Sequence, residues 1–229
     1  MKSLFKEFGI DISDEKLSKL KDFGEILKEY NKFMNLTTVT GDEEMWIKHF
    51  LDSVAGESFF NYGCKVCEVG SGGGFPSIPL KILREDLSFT LIESTGKKCD
   101  YLKAVVKELK LENIEVICAR AEDVAKQKTY REGYGAVTAR AVAAMNTLAE
   151  YCLPFVEVGG RFIAYKGDAA EELKNAQNAI KVLGGEIENV MNFELPNGYG
   201  KRNIIVVKKI KNTPQDYPRG NGKERKKPL

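Results

Sequence analysis

Apolar positions change their period near residue 60. Between residues 13 and 32, Leu17, Leu20, Phe23, Leu27 and Tyr30 recur every three or four positions, the spacing of one helix face, with Ser13 or Asp14 placed to cap it. Asn31-Lys-Phe-Met-Asn-Leu-Thr-Thr breaks that pattern, and a second helix carries Trp46, Ile47, Phe50, Leu51 and Val54. From residue 65 short apolar runs alternate with amphipathic stretches. Runs at 66–69, 89–93, 114–118, 135–139 and 160–165 read as strands, and 76–83, 97–110, 146–152 and 169–183 as helices. Such alternation implies parallel βαβ units with ligands bound at the strands' carboxyl ends. The last two strands, 186–195 and 203–209, are separated by Pro196-Asn-Gly-Tyr-Gly200, which is turn chemistry, so they pair antiparallel. The predicted fold class is α/β: a Rossmann-like seven-stranded sheet, mostly parallel with an antiparallel C-terminal hairpin, preceded by an α-helical N-terminal segment. Its expected divisions are 1–60 (helices packed on the sheet), 61–210 (the sheet domain) and 211–229 (a basic, flexible tail).

Composition narrows the function only a little. A net charge of +2 announces no nucleic-acid partner. The charge is uneven, however: Lys211, Arg219, Lys223, Arg225, Lys226 and Lys227 face only Asp216 and Glu224 in the tail. No 18-residue apolar run and no signal-peptide core are visible, so a soluble, cytoplasmic protein that does not engage a membrane is expected. Five cysteines, an odd number, argue against a disulfide framework. Cys64-Lys-Val-Cys67 has zinc spacing, but residues three apart on a strand face opposite sides and His49 is the single histidine. No metal site is expected.

Chemistry concentrates in Lys65-Val-Cys-Glu-Val-Gly-Ser-Gly-Gly-Gly-Phe-Pro-Ser77. A buried strand, a glycine turn and a helix start place backbone N–H groups and a partial positive charge at one point. A dinucleotide fingerprint needs glycines at its first, third and sixth positions. Here these are Gly70, Gly72 and Phe75, and no phosphate-loop Gly-Lys-Ser/Thr is present. The loop suits a small zwitterion, such as the methionine part of S-adenosylmethionine, and the closing antiparallel hairpin favours a class I methyltransferase sheet over a dinucleotide one. Glu93 ends the second strand, where a carboxylate can accept both ribose hydroxyls; a solvated loop acid is the plainer reading. Ala121-Glu122-Asp123 lies where an adenine would sit, and is equally an ordinary helix start.

After the fourth strand comes Thr138-Ala-Arg140-Ala-Val. The Asp/Asn-Pro-Pro-aromatic tetrapeptide of amine methylation is absent, and so is a cysteine nucleophile. Arginine cannot be a base, so the acceptor should already own a lone pair, as guanine N7 does. Arg140 suits a guanine edge or a phosphate, and equally a cofactor or structural carboxylate. His49 and Asp52 share a helix face, either at the mouth of an active site or as an anchor for the lead-in. Asn35 can cap the next segment or touch RNA. Lys97, Lys98, Arg120, Lys166, Arg202 and Arg219 sit at element ends, suited to phosphates or simply solvated.

Asn35-Leu-Thr, Lys48-His-Phe-Leu-Asp-Ser53, Glu68 through Leu80, Glu93-Ser-x-x-Lys-Lys98, Ala121-Glu122, Val137-Thr-Ala-Arg-Ala-Val142, Lys166-Gly167 and Tyr217-Pro-Arg219, taken in order, resemble the RsmG (GidB) family. That resemblance implies an S-adenosylmethionine-dependent enzyme methylating N7 of one guanine in bacterial 16S ribosomal RNA, with rRNA or the small subunit as partner. The monomer is the expected state. Carried over, Gly70, Phe75, Glu93, Ser94, Thr95, Ala121, Glu122 and Arg140 contact the cofactor, with Gly72 in the same loop. Many members carry aspartate where Glu93 stands. Asn35, His49, Asp52 and Lys166 remain positioning candidates, and Lys97, Arg120, Arg202 and Arg219 RNA-binding ones. The expected chemistry is an in-line transfer without a general base. A nicotinamide oxidoreductase, a non-catalytic RNA-binding module and a small-molecule methyltransferase are the rival readings.

Overall fold

The computed structural model describes all 229 residues. Its lead-in comprises α1 (Lys2–Glu7), α2 (Asp14–Met34) and α3 (Asp42–Met45), the last running through a wide π-helical turn at Trp46–Leu51 into α4 (Asp52–Val54). Ser13 caps α2, its hydroxyl accepting from the Lys16 amide at 3.2 Å. Alternation follows: β1 (Lys65–Val69), α5 (Ser77–Leu83), β2 (Ser88–Glu93), α6 (Gly96–Glu108), β3 (Ile114–Cys118), α7 (Ala121–Val124), β4 (Tyr134–Arg140), α8 (Met145–Cys152), β5 (Val156–Lys166) and α9 (Ala170–Val182). Then come β6 (Gly185–Glu194), β7 (Lys201–Lys209) and a short α10 (Lys223–Lys226).

The seven strands form one sheet in the order β3-β2-β1-β4-β5-β7-β6. Pairing is parallel from β3 to β5, and β7 runs antiparallel to both β5 and β6. The hairpin is as the turn residues predict; the insertion of β7 between β5 and β6 is not among the expectations. Its signal lies in Ile204-Ile-Val-Val207, an unbroken apolar run buried on both faces, whereas β6 alternates and lies at the edge. No helix is long and apolar enough to cross a membrane.

Alternate strand residues feed two cores. On one face the lead-in helices, α5 and α6 pack against Val66, Leu91, Ile163 and Val206; on the other α8 and α9 pack against Cys67, Val137, Phe162 and Val207. The lead-in is thus part of a core.

The expected flexible tail is corrected. Residues beyond Lys211 dock on the second face as a strap. Arg131 donates to the Thr213, Pro214 and Tyr217 carbonyls, and Thr213 is buried. Arg219 grips Glu150, a carboxylate only 1% exposed, with its Nη2 at 2.6 Å from Oε2. Thr147 Oγ1 donates to the Glu224 carbonyl at 3.0 Å. The basic composition that suggested a phosphate-seeking tail conceals one arginine committed to a buried partner.

Candidate active site

At the carboxyl end of β1 the chain turns back on β2. The Gly70 and Ser71 amides both donate to the Ile92 carbonyl, at 2.8 and 3.1 Å, and the Gly74 amide donates to Ser71 O at 2.7 Å. Gly70 has φ +73°, and a Cβ there would lie 2.7 Å from Val142 Cγ2, so both conformation and space require glycine. Glu93, at the end of β2, ties the two loops together: Oε2 accepts from the Gly72 amide at 3.0 Å and Oε1 from Thr95 at 2.8 Å. Beside it opens a cleft of about 370 Å³ floored by Val69 and Ile92 and edged by Gly70, Ser94, Ala121 and Glu122. Arg120 and Tyr151 also line the part formed by the sheet domain.

A second cleft, of about 580 Å³, lies across β4, between the lead-in and the β6–β7 turn. Arg140 dominates its inner wall. The guanidinium gives Nη1 to Asp52 Oδ2 and to the Lys48 carbonyl, each at 3.1 Å, and Nη2 to His49 Nδ1 at 3.1 Å. It also lies 4.8 Å above the Phe75 ring, on which His49 stacks at 4.4 Å. His49 Nδ1 lies 3.1 Å from both the Arg140 Nη2 and the Lys48 carbonyl, and Nε2 lies 2.6 Å from Thr37 Oγ1, so both ring nitrogens are engaged in either tautomer. Burial and the Arg140 charge push the imidazole down to about 3, keeping it neutral. Asp52 faces Arg140 and, at 3.5 Å, Arg202; burial pushes its carboxyl up, and the two guanidiniums oppose that shift. Lys166 is held by Glu172 Oε2 at 2.6 Å and donates to the Ala143 carbonyl at 2.9 Å. Tyr165 donates to Ser53 O at 2.9 Å.

Residues 140–142 divide the clefts. Arg140 and Ala141 line the second and Val142 the first. Ala141 holds φ +57°, a left-handed conformation that a non-glycine residue adopts at a cost. Beneath the divider lies Glu68, wholly buried, with no well-formed hydrogen bond to either oxygen. Burial pushes its carboxyl up to about 7, against the nearby Ser77 and Ser71 hydroxyls and the Arg140 charge.

Residues 16–205 match the family model described as GidB: rRNA small subunit methyltransferase G. A ribosomal RNA small subunit methyltransferase G from Acetivibrio thermocellus is 44% identical, over 97% of this chain and 92% of that protein. One from Lactobacillus acidophilus is 46% identical, over 96% and 93%. This chain belongs to that family. Among solved structures, a SAM-dependent methyltransferase from Aquifex aeolicus superposes with a TM-score of 0.56 at 16% identity, covering 76% of this chain and 96% of that one. M. jannaschii TYW2 in complex with AdoMet gives 0.57 at 15%, covering 76% and 78%. At such identities the likeness carries the class I methyltransferase fold.

Within that family frame the sequence-predicted residues separate into groups. Gly70, Ser94, Ala121 and Glu122 meet at the first cleft with Arg120, while Gly72, Glu93 and Thr95 form the bridge behind it. His49, Asp52, Arg140, Lys166 and Arg202 meet at the second, with Phe75 beneath. His49 and Asp52 both clamp Arg140 and both line the second cleft. Asn35 ends α2 at φ +48°, outside both clefts. Lys97 is exposed on the first turn of α6, and Arg219 is occupied by Glu150.

Sequence reasoning missed Asn31, Thr37 and Tyr199. Asn31 Oδ1 accepts from the Leu36 and Thr37 amides at 2.7 and 2.9 Å, shaping the turn that brings Thr37 to His49. Tyr199, in the β6–β7 turn, lines the second cleft with Lys48 5.1 Å over its ring. Asn31 opens the stretch that breaks the helical pattern and Tyr199 lies within a turn, so neither carries a local motif; the Asn35-Leu-Thr block, which contains Thr37, was the cue to this region.

Proposed function

We propose that the chain transfers a methyl group from S-adenosylmethionine to N7 of a guanine in the 16S RNA of the small ribosomal subunit. The cofactor fits what the first cleft offers: a volume within the small-ligand range of about 300–1,000 Å³ and glycine backbone at the strand end, with the Glu93 carboxylate in the adjoining bridge. Bound there, S-adenosylmethionine supplies a methyl group on a positively charged sulfur. Glu93 would hold the ribose hydroxyls, Ala121 and Glu122 the adenine edge, and Gly70 and Gly72 the amino-acid end.

The observation that carries the reading is the state of the buried titratable groups in the second cleft. His49 is neutral with both ring nitrogens engaged, Asp52 is flanked by two guanidiniums, and the Tyr165 hydroxyl is committed to Ser53. None is poised to take a proton. A wall of this kind suits an acceptor that needs no deprotonation, and a purine N7 has its lone pair in the plane of the ring. Arg140 and Phe75 then act by orientation and by excluding water. The acceptor face carries Arg202, Lys166 and Tyr199, donors and an aromatic ring of the kind that meets phosphates and unstacked bases.

Incubation with methyl-labelled S-adenosylmethionine and undermethylated small subunits, followed by nucleoside digestion, is expected to place label in 7-methylguanosine. Label confined to another nucleoside, or to protein, would refute the acceptor assignment.

A further inference from the structure

Residues 211–229 lie beyond the part of the chain that matches the family model, yet the strap they form reaches the first cleft. Arg131, Glu150 and Thr147 fix it at three points on the sheet domain, through Tyr217, Arg219 and Glu224. Leu229 and Tyr217 pack against the second core. Beyond the Arg219 anchor, Gly222 and Arg225 come to line the same cleft as Gly70 and Ala121. Tyr151, 6% exposed on α8, stands beside Arg225: burial pushes its phenol up, and the neighbouring guanidinium pulls against that shift.

The sheet domain contributes mostly small and apolar groups to the cleft, together with Arg120, Glu122 and Tyr151. A flat ring seated against those apolar groups would leave its other face to be covered, and Arg225 is the side chain that the strap brings to the cleft. A guanidinium is planar, stays charged and stacks on aromatic faces, which an exposed lysine does poorly.

We infer that Arg225 is a cofactor-binding residue, covering the outer face of the adenine ring in the first cleft, and that the docked strap exists in part to deliver it. This rests on the reading of that cleft as the adenosine site. The strap's other cations, Lys223, Lys226 and Lys227, are exposed and do not line the cleft.

The test is calorimetric titration of the full chain with S-adenosylhomocysteine and, separately, with adenosine. Wild type is expected to bind both. R225A should lose ~3- to 30-fold for both ligands by the same factor, the range of a partly desolvated cation–π contact, while R225K recovers only part. The unliganded midpoint of thermal unfolding should stay unchanged, because the Arg225 side chain is exposed at the rim. Unaltered affinity in R225A overturns the inference, as does a loss for S-adenosylhomocysteine that adenosine does not share. A loss seen only in R120A would assign the cover to the neighbouring arginine instead. A lowered unliganded midpoint that R225K fully restores would make Arg225 a docking residue of the strap, and also overturns it. Wild type that binds neither nucleoside defeats the adenosine reading itself, an outcome distinct from all of these.

Discussion

Along the first cleft the floor and turn present backbone and small side chains, Gly70, Ser94, Ala119 and Ala121, with Arg120, Glu122 and Arg225 as its charged groups, whereas the second is walled by ions, Asp52, Arg140, Lys166 and Arg202, each held by another residue. The first leaves the main chain open to close approach. The second holds its charges in ion pairs. Removing a side chain from the first wall therefore opens space, while removing one from the second strands an opposite charge in low dielectric.

That contrast is most exposed by Asp52→Ala. Arg140 loses its carboxylate while remaining buried, so stability in urea should fall by about 3–5 kcal/mol. Affinity for adenosine should stay within about twofold, as befits separate sites. Equal damage to both would erase the distinction. Glu68, under the divider, gives the next largest effect. Its folded-state value near 7 exceeds the unfolded 4.5, so its stabilising contribution is complete below about pH 4.5 and is lost as pH rises through 7. E68Q should thus gain on wild type across that window, by an amount on the order of a few kcal/mol, read from unfolding midpoints at pH 5 and 8. On the glycine side, G70A places a methyl group at φ +73° against Val142 and should cost about 1–3 kcal/mol. G70A/V142A should recover the steric share and leave the backbone strain. The smallest effect is K97A, an exposed lysine: stability should move by under about 0.5 kcal/mol, and binding to 16S RNA should weaken with a shallower salt dependence, by about one counterion.

How much of this was written legibly along the chain follows the same division. Every strand and the first cleft came from contiguous signals: the turn Gly70-Ser-Gly72, an acid at the end of the next strand, Ala121-Glu122 after the third. Each motif is set by the local path of the main chain, and local path is what period and turn residues encode. The second cleft joins residues 49, 52, 140 and 202, so its side-chain pairings depend on packing over long sequence separations. The individual residues drew notice, but their mutual clamping did not. The strap shows the limit most plainly. Six cations in nineteen residues read as a solvated tail, because nothing local reveals that Glu150 lies buried, or that Arg131 faces three tail carbonyls.

The three residues from Arg140 to Val142 belong to both walls at once. If RNA arriving on one side shifts them, the nucleoside on the other side is gripped more or less tightly by some factor. Thermodynamic linkage then obliges that nucleoside to alter the hold on RNA by the same factor. Measured in either direction, the cooperativity of the two substrates has to agree, and Ala141, bent where alanine resists bending, is the place where it would be felt.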